Sequence, residues 1–160
     1  MSLLGYHGFN NWENHFMEDE NERDNILFGF ELEAREDDSN YVENQLSPEQ
    51  VACKLGEEFG NLFVYERDSS IGRGVEIISQ PMTMNYYMAH IDLFKKLLKM
   101  LDKMNYVSPK GNKCGLHIHF NRKALGYNSK EFETLKNKVG NLRKANNLDH
   151  ERANETILNI

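Results

Sequence analysis

The chain has 160 residues, 39% of them hydrophobic and 28% charged, enough for one modest core and too few for a multidomain machine. Its net charge is −6, but residues 1–80 carry 18 acidic and 5 basic side chains while residues 81–160 carry 7 and 14. An acidic first half suits hard divalent cations, which take clustered carboxylates, although runs such as Glu18-Asp19-Glu20 and Glu36-Asp37-Asp38 read as solvated loops. No apolar run is long enough to span a bilayer, and the start lacks a basic segment followed by an apolar one. Cys53 and Cys114 make neither a disulfide framework nor a zinc-thiolate cage, so a reducing cytoplasm is expected.

The chain reads as a single domain over 1–160, with an irregular segment 1–25, a motif-bearing sheet and helices 26–122, and C-terminal helices 123–160. A first strand is predicted at Ile26–Arg35, with Phe28, Phe30, Leu32 and Ala34 on one face and Gly29, Glu31, Glu33 and Arg35 on the other. Ser47, Pro48 and Gln50 then combine an N-cap, a first-position proline and a capping box. The helix they open carries Val51, Leu55 and Phe59 to the core and ends at Gly60. Leu62–Asp68 and Val75–Gln80 read as a hairpin, stopped by Pro81. Thr83 caps one long helix whose stripe is Met84, Met88, Ile91, Phe94, Leu98, Leu101 and Met104, with the methionines expected in the core. A fourth strand follows at Gly115–Arg122, then a helix opened by Asn128 and Glu131. The expected fold is α+β, an antiparallel sheet with helices on one face and the other face open.

Unusual groups gather on that open face. Glu31 and Glu33, two residues apart on one strand, project the same way, about 6.5–7 Å apart. A loop of Ile71-Gly72-Arg73 would set Asp68 opposite Glu76, a like-charge pair that a cation between them would relieve. Glu66 shares the face of Asp68. In the fourth strand Leu116, Ile118 and Phe120 would enter the core, leaving His117, His119 and Asn121 beside the carboxylates. An oxygen-rich set with one or two imidazoles suits Mg²⁺ or Mn²⁺ better than zinc.

Four blocks now stand in order: Phe28-Gly29-Phe30-Glu31-Leu32-Glu33, Tyr65-Glu66-Arg67-Asp68-Ser69-Ser70, Gly74-Val75-Glu76-Ile77-Ile78-Ser79-Gln80-Pro81-Met82-Thr83, and Cys114-Gly115-Leu116-His117-Ile118-His119. Together they resemble the amidoligase family, common in phage and bacteria, of the carboxylate–amine ligase superfamily with glutamine synthetase and glutamate–cysteine ligase. The resemblance spans Tyr6 to Arg122. It implies a curved sheet of glutamine synthetase type, in part, whose open face binds Mg (or Mn) and ATP, and small-molecule or peptide carboxylate and amine substrates. In that likeness Glu31 and Glu33 serve two different ions, Asp68 and Glu76 match a carboxylate pair, and His117 matches a histidine at the nucleotide-associated metal. His119, Glu66, Asn121, Arg73 and Arg122 would support these ligands or touch phosphate or substrate, and no single residue is assigned as catalytic.

Only 38 residues follow Arg122, and Arg143, Arg152, Glu151 and Glu155 among them do not match the family's later arginines and glutamate. The chain is therefore expected to be the front part of the catalytic fold, a shortened gene, or a protein completed by another copy in a homo-oligomer, in the bacterial or phage-infected cytoplasm. An alternative is a single-strand DNA nicking enzyme built on His117-Ile118-His119, with Tyr127 as nucleophile beside Lys130; the net charge gives no overall field to attract a phosphate chain. A third reading is a non-catalytic binding module that keeps the fold.

Overall fold

The alternation of the first strand survives folding. The computed structural model describes residues 2–5, 8, 15–24, 26–40, 42–108, 115–121 and 124. In it Leu27–Glu36 forms β1, with Leu32 and Ala34 buried and Glu31, Glu33 and Arg35 part-exposed on the opposite face. After β1 come α1 (Pro48–Phe59), β2 (Phe63–Glu66), β3 (Gly74–Ser79), β4 (Met82–Thr83), α2 (Met84–Ala89), α3 (Ile91–Lys103), β5 (Tyr106–Val107) and β6 (Leu116–Phe120). The fold is α+β, an open antiparallel sheet with three helices among the described residues.

β1 is the hub. β3 pairs with residues 31–35 and β6 with residues 28–32, so the two must lie on opposite edges of β1. The same overlap argument places β4 on the β3 edge and β5 on the β6 edge, while β2 lies outside β3. One face of this sheet meets α1 and α3: Leu32, Ala34, Val75, Ile77, Phe63 and Tyr65 pack with Val51, Ala52, Leu55 and Phe59 of α1 and Phe94, Leu97 and Leu101 of α3.

The start of α1 forms as its sequence dictates. Ser47 Oγ accepts from Gln50 N, and the Gln50 side chain accepts from Ser47 N at 2.9 Å. Gly60 takes φ +58° at the other end, a value that side chains with a Cβ rarely adopt. Ser47→Ala should lower stability by about 1 kcal/mol in urea unfolding, with Ser47→Asp restoring it.

Three expectations are corrected. The long helix is two: it breaks at His90 (φ −109°, ψ 22°), whose ring stacks on Tyr86 with centroids 4.3 Å apart and whose Nε2 lies 2.7 Å from Glu18 Oε1. Thr83 caps α2 as expected, accepting from Tyr86 N at 3.2 Å while its hydroxyl donates to Glu22. Beyond the break the buried stripe is Phe94, Leu97 and Leu101 while Leu98 is more than half exposed, as are Met84 and Met88 before it. At about 100° per residue, Leu98 lies a quarter-turn away from the face that Leu97 buries.

The second correction concerns the hairpin. Its register sets Glu66, not Asp68, opposite Glu76, because residues 67–73 hold a 3₁₀ turn, Ser69–Ile71, and not a tight loop. Asp68 caps that turn, accepting from Ser70 N and Ser70 Oγ, each at 2.7 Å. The third concerns β6: Leu116, Ile118 and Phe120 share the core-side face of β1 by register but stay half exposed or more, because the helices close over β1, β2 and β3. The helices expected within 123–160 lie outside the described residues, as do Arg122, Tyr127 and Lys130.

Candidate functional site

Directly paired residues of an antiparallel sheet share a face. Glu66 pairs with Glu76 and Glu76 with Glu33, so three carboxylates cross β2, β3 and β1 in one row. In the next row Glu31 lies between Ile78 of β3 and His117 of β6, and Gly29 faces His119 beyond it. Glu33 N donates to Gly115 O at 3.0 Å, which extends the acidic row to the foot of β6. Glu31, Glu33, Glu66, Glu76, His117 and His119 therefore share the face away from α1 and α3.

That face is not uniformly wet, and here the expectation of an open surface needs amending. Val64, Ile78, Glu66 and Glu76 are buried, whereas Glu31 and Glu33 are part-exposed and His117 is exposed. Burial of a carboxylate favours its neutral form. Glu76 shows the effect: its carboxyl is pushed up to about 8, first by burial and then by Glu31, Asp68, Glu66 and Glu33. Asp68, although out of register, is thus still close enough to act on Glu76.

Glu31 has the reverse balance. Burial alone would raise its carboxyl, but His119 and His117 outweigh that and hold it below the ordinary value. His117 Nδ1 lies 3.3 Å from Glu31 Oε2, and His119 Nε2 lies 3.1 Å from Glu31 Oε1, at an angle that makes no hydrogen bond. One imidazole thus stands at each oxygen of the carboxylate.

The remaining candidates separate. Asn121 N donates to Leu27 O at 2.9 Å, and its side-chain Oδ1 is buried without a hydrogen-bond partner among the described residues. Arg73 is drawn to the hairpin end, with Nε 2.9 Å from Glu36 Oε2. Sequence reasoning passed over Ser79, whose buried hydroxyl accepts from Phe30 N at 2.9 Å, one residue from Glu31. The Ser79-Gln80-Pro81 stretch that ends the strand was the signal available.

Among the described residues, no group of three or more His, Cys, Asp or Glu side chains is set to hold a metal ion as placed. The chemistry of the donors nevertheless fits a hard divalent cation, since Glu76 lies within reach of four other carboxylates, Glu31, Asp68, Glu66 and Glu33. No helix among the described residues is long and apolar enough to cross a membrane. Comparison with known protein families, curated proteins and solved structures finds no match.

Proposed function

We propose that this chain carries the metal- and nucleotide-binding face of a cytoplasmic, ATP-dependent carboxylate–amine ligase. One observation supports the reading above the rest: carboxylates from three neighbouring strands line up on the face that also holds the histidines of β6. Like charges directly opposite one another are destabilising, and a bound cation would relieve that cost. A site for cations explains the row.

Glu31, Glu33, Glu76 and His117, with Asp68 at the hairpin end, would hold Mg²⁺ or Mn²⁺. When bound, such ions neutralise phosphate charge as a phosphoryl group leaves ATP. The γ-phosphoryl passes to a substrate carboxylate, forming a P–O bond as ADP departs. An amine then attacks the acyl carbon, a C–N bond forms, and phosphate leaves. In such a reaction the protein orients and screens charge, which accords with a site rich in ligands. His119 helps to keep Glu31 ionised, Glu66 flanks Glu76, and Asn121 and Arg122 are the candidates for touching substrate or phosphate, whereas Arg73 is held by Glu36 at the hairpin end.

Millimolar Mg²⁺ with ATP should raise the melting temperature of the wild-type chain, and Glu31→Gln should abolish the rise. A wild-type chain stabilised by neither would instead indicate a binding module. The two imidazoles flanking one carboxylate also suit a nuclease, and metal-dependent nicking of single-stranded DNA that is lost in Tyr127→Phe would replace the ligase reading.

A further inference from the structure

The two edges of β1 are not equally regular. From Glu31 to Arg35 it pairs with β3 in one register, Glu31 opposite Ile78. At Leu27 and Phe28 it pairs with β4 in another, Phe28 opposite Met82. Between these points Gly29 and Phe30 face three residues, Ser79, Gln80 and Pro81, so one extra residue makes a β-bulge. Gln80 N turns to the far edge and donates to Leu62 O at 2.9 Å, while Pro81 has no N–H. At this irregular point Phe30 N finds its acceptor in the Ser79 hydroxyl, 2.9 Å away. The fit is close. A Cβ on Gly29 would lie 3.3 Å from Ser79 Oγ, nearer than side chains ordinarily approach.

The far edge of this same stretch faces β6, where Gly29 meets His119 and Glu31 meets His117. We propose that Ser79 is a positioning residue: by holding Phe30 N at the bulge, its hydroxyl sets β1 so that Glu31 presents one oxygen to each imidazole. A strand displaced by one residue would turn Glu31 and Glu33 to the opposite face, so whatever pins the register here also aims the carboxylates. Ser79 itself touches no ligand in this scheme. The assignment of Glu31 as a cation ligand rests on the ligase reading; the role of Ser79 in placing it does not.

The test compares Ser79→Ala, Ser79→Thr and Gly29→Ala with wild type, in the full chain at one fixed pH. The readouts are the ring ¹⁵N resonances of His117 and His119 and the affinity for Mn²⁺ alone. Loss of the hydroxyl should move both rings' resonances and weaken Mn²⁺ binding about tenfold, as loss of a hydrogen bond behind a metal ligand does. Threonine should restore both. Gly29→Ala, which crowds the hydroxyl while keeping it, should move the His117 resonance, and that ring alone is read in this variant because Gly29 lies directly opposite His119; it serves if Ser79→Ala fails to fold. Folded Ser79→Ala and Gly29→Ala proteins whose ring resonances, as read in each, are unmoved would overturn the proposal, even with a lower melting temperature. So would a folded threonine variant that restores nothing. A wild-type chain that binds no Mn²⁺ would count against the ligase reading, and the ring resonances would still decide the role of Ser79.

Discussion

Replacing Phe63 by alanine should cost about 3–5 kcal/mol of folding stability, measured by urea unfolding. The ring is wholly buried and bridges the layers of the fold. Its centroid lies 6.0 Å from Phe30 of β1, 5.3 Å from Phe59 of α1 and 6.0 Å from Phe94 of α3, the last two edge-on. Alanine would remove apolar burial and these ring contacts together, leaving a cavity whose walls belong to both helices and the sheet. Leu98→Ala offers the contrast. Leu98 is more than half exposed, so its loss should change stability by no more than about 0.5 kcal/mol. A large cost at Leu98 with a small one at Phe63 would mean that α3 is rotated from the face described.

The helix around Leu98 shows where sequence patterning stops. Apolar residues at helical spacing continue from Met84 to Met104 without a proline or glycine to mark a break. At the break His90 meets Glu18, far away in the chain, a contact that no local periodicity reveals. By contrast β1 and the start of α1 were legible because their determinants are local: alternation with period two, and a cap closed within four residues. The face shared by Glu31, Glu33, His117 and His119 was legible for the same reason, since period two needs only a strand.

Register was harder. Asp68 opposite Glu76 followed from assuming a tight loop, but the Asp68 carboxylate bonds two groups of Ser70 and folds the chain into a 3₁₀ turn, moving the pairing to Glu66. A short polar side chain with a local backbone partner competes with ladder pairing, and here it prevails. The exposed apolar residues of β6 mark a further limit. Alternation shows which residues share a face, but not how far the helices extend over it. The bulge at Ser79 becomes visible only when two registers along one strand are compared.

Glu76→Gln should raise the stability of the cation-free protein at alkaline pH. The folded carboxyl titrates near 8, and its ordinary value is 4.5, so the native state holds this proton more tightly than the unfolded chain. The stabilisation it gives is therefore complete below about pH 4.5 and is lost as pH rises through about 8. Wild-type stability should fall between pH 5 and 8 for this reason, and the glutamine variant should flatten the fall. At pH 8.5 the variant should be more stable by roughly 2–4 kcal/mol, allowing for charges shared across the row. Divalent cation should reverse the order. An ion that binds the ionised row stabilises the native state by mass action, so Mg²⁺ at pH 8.5 should lift wild type well above its cation-free value and lift Glu76→Gln much less. A variant less stable than wild type without Mg²⁺ at that pH would mean that the acidic row is structural, held by partners that need Glu76 charged. Equal lifting of both proteins by Mg²⁺ would take Glu76 out of the cation site and leave Glu31, Glu33 and the histidines to account for it.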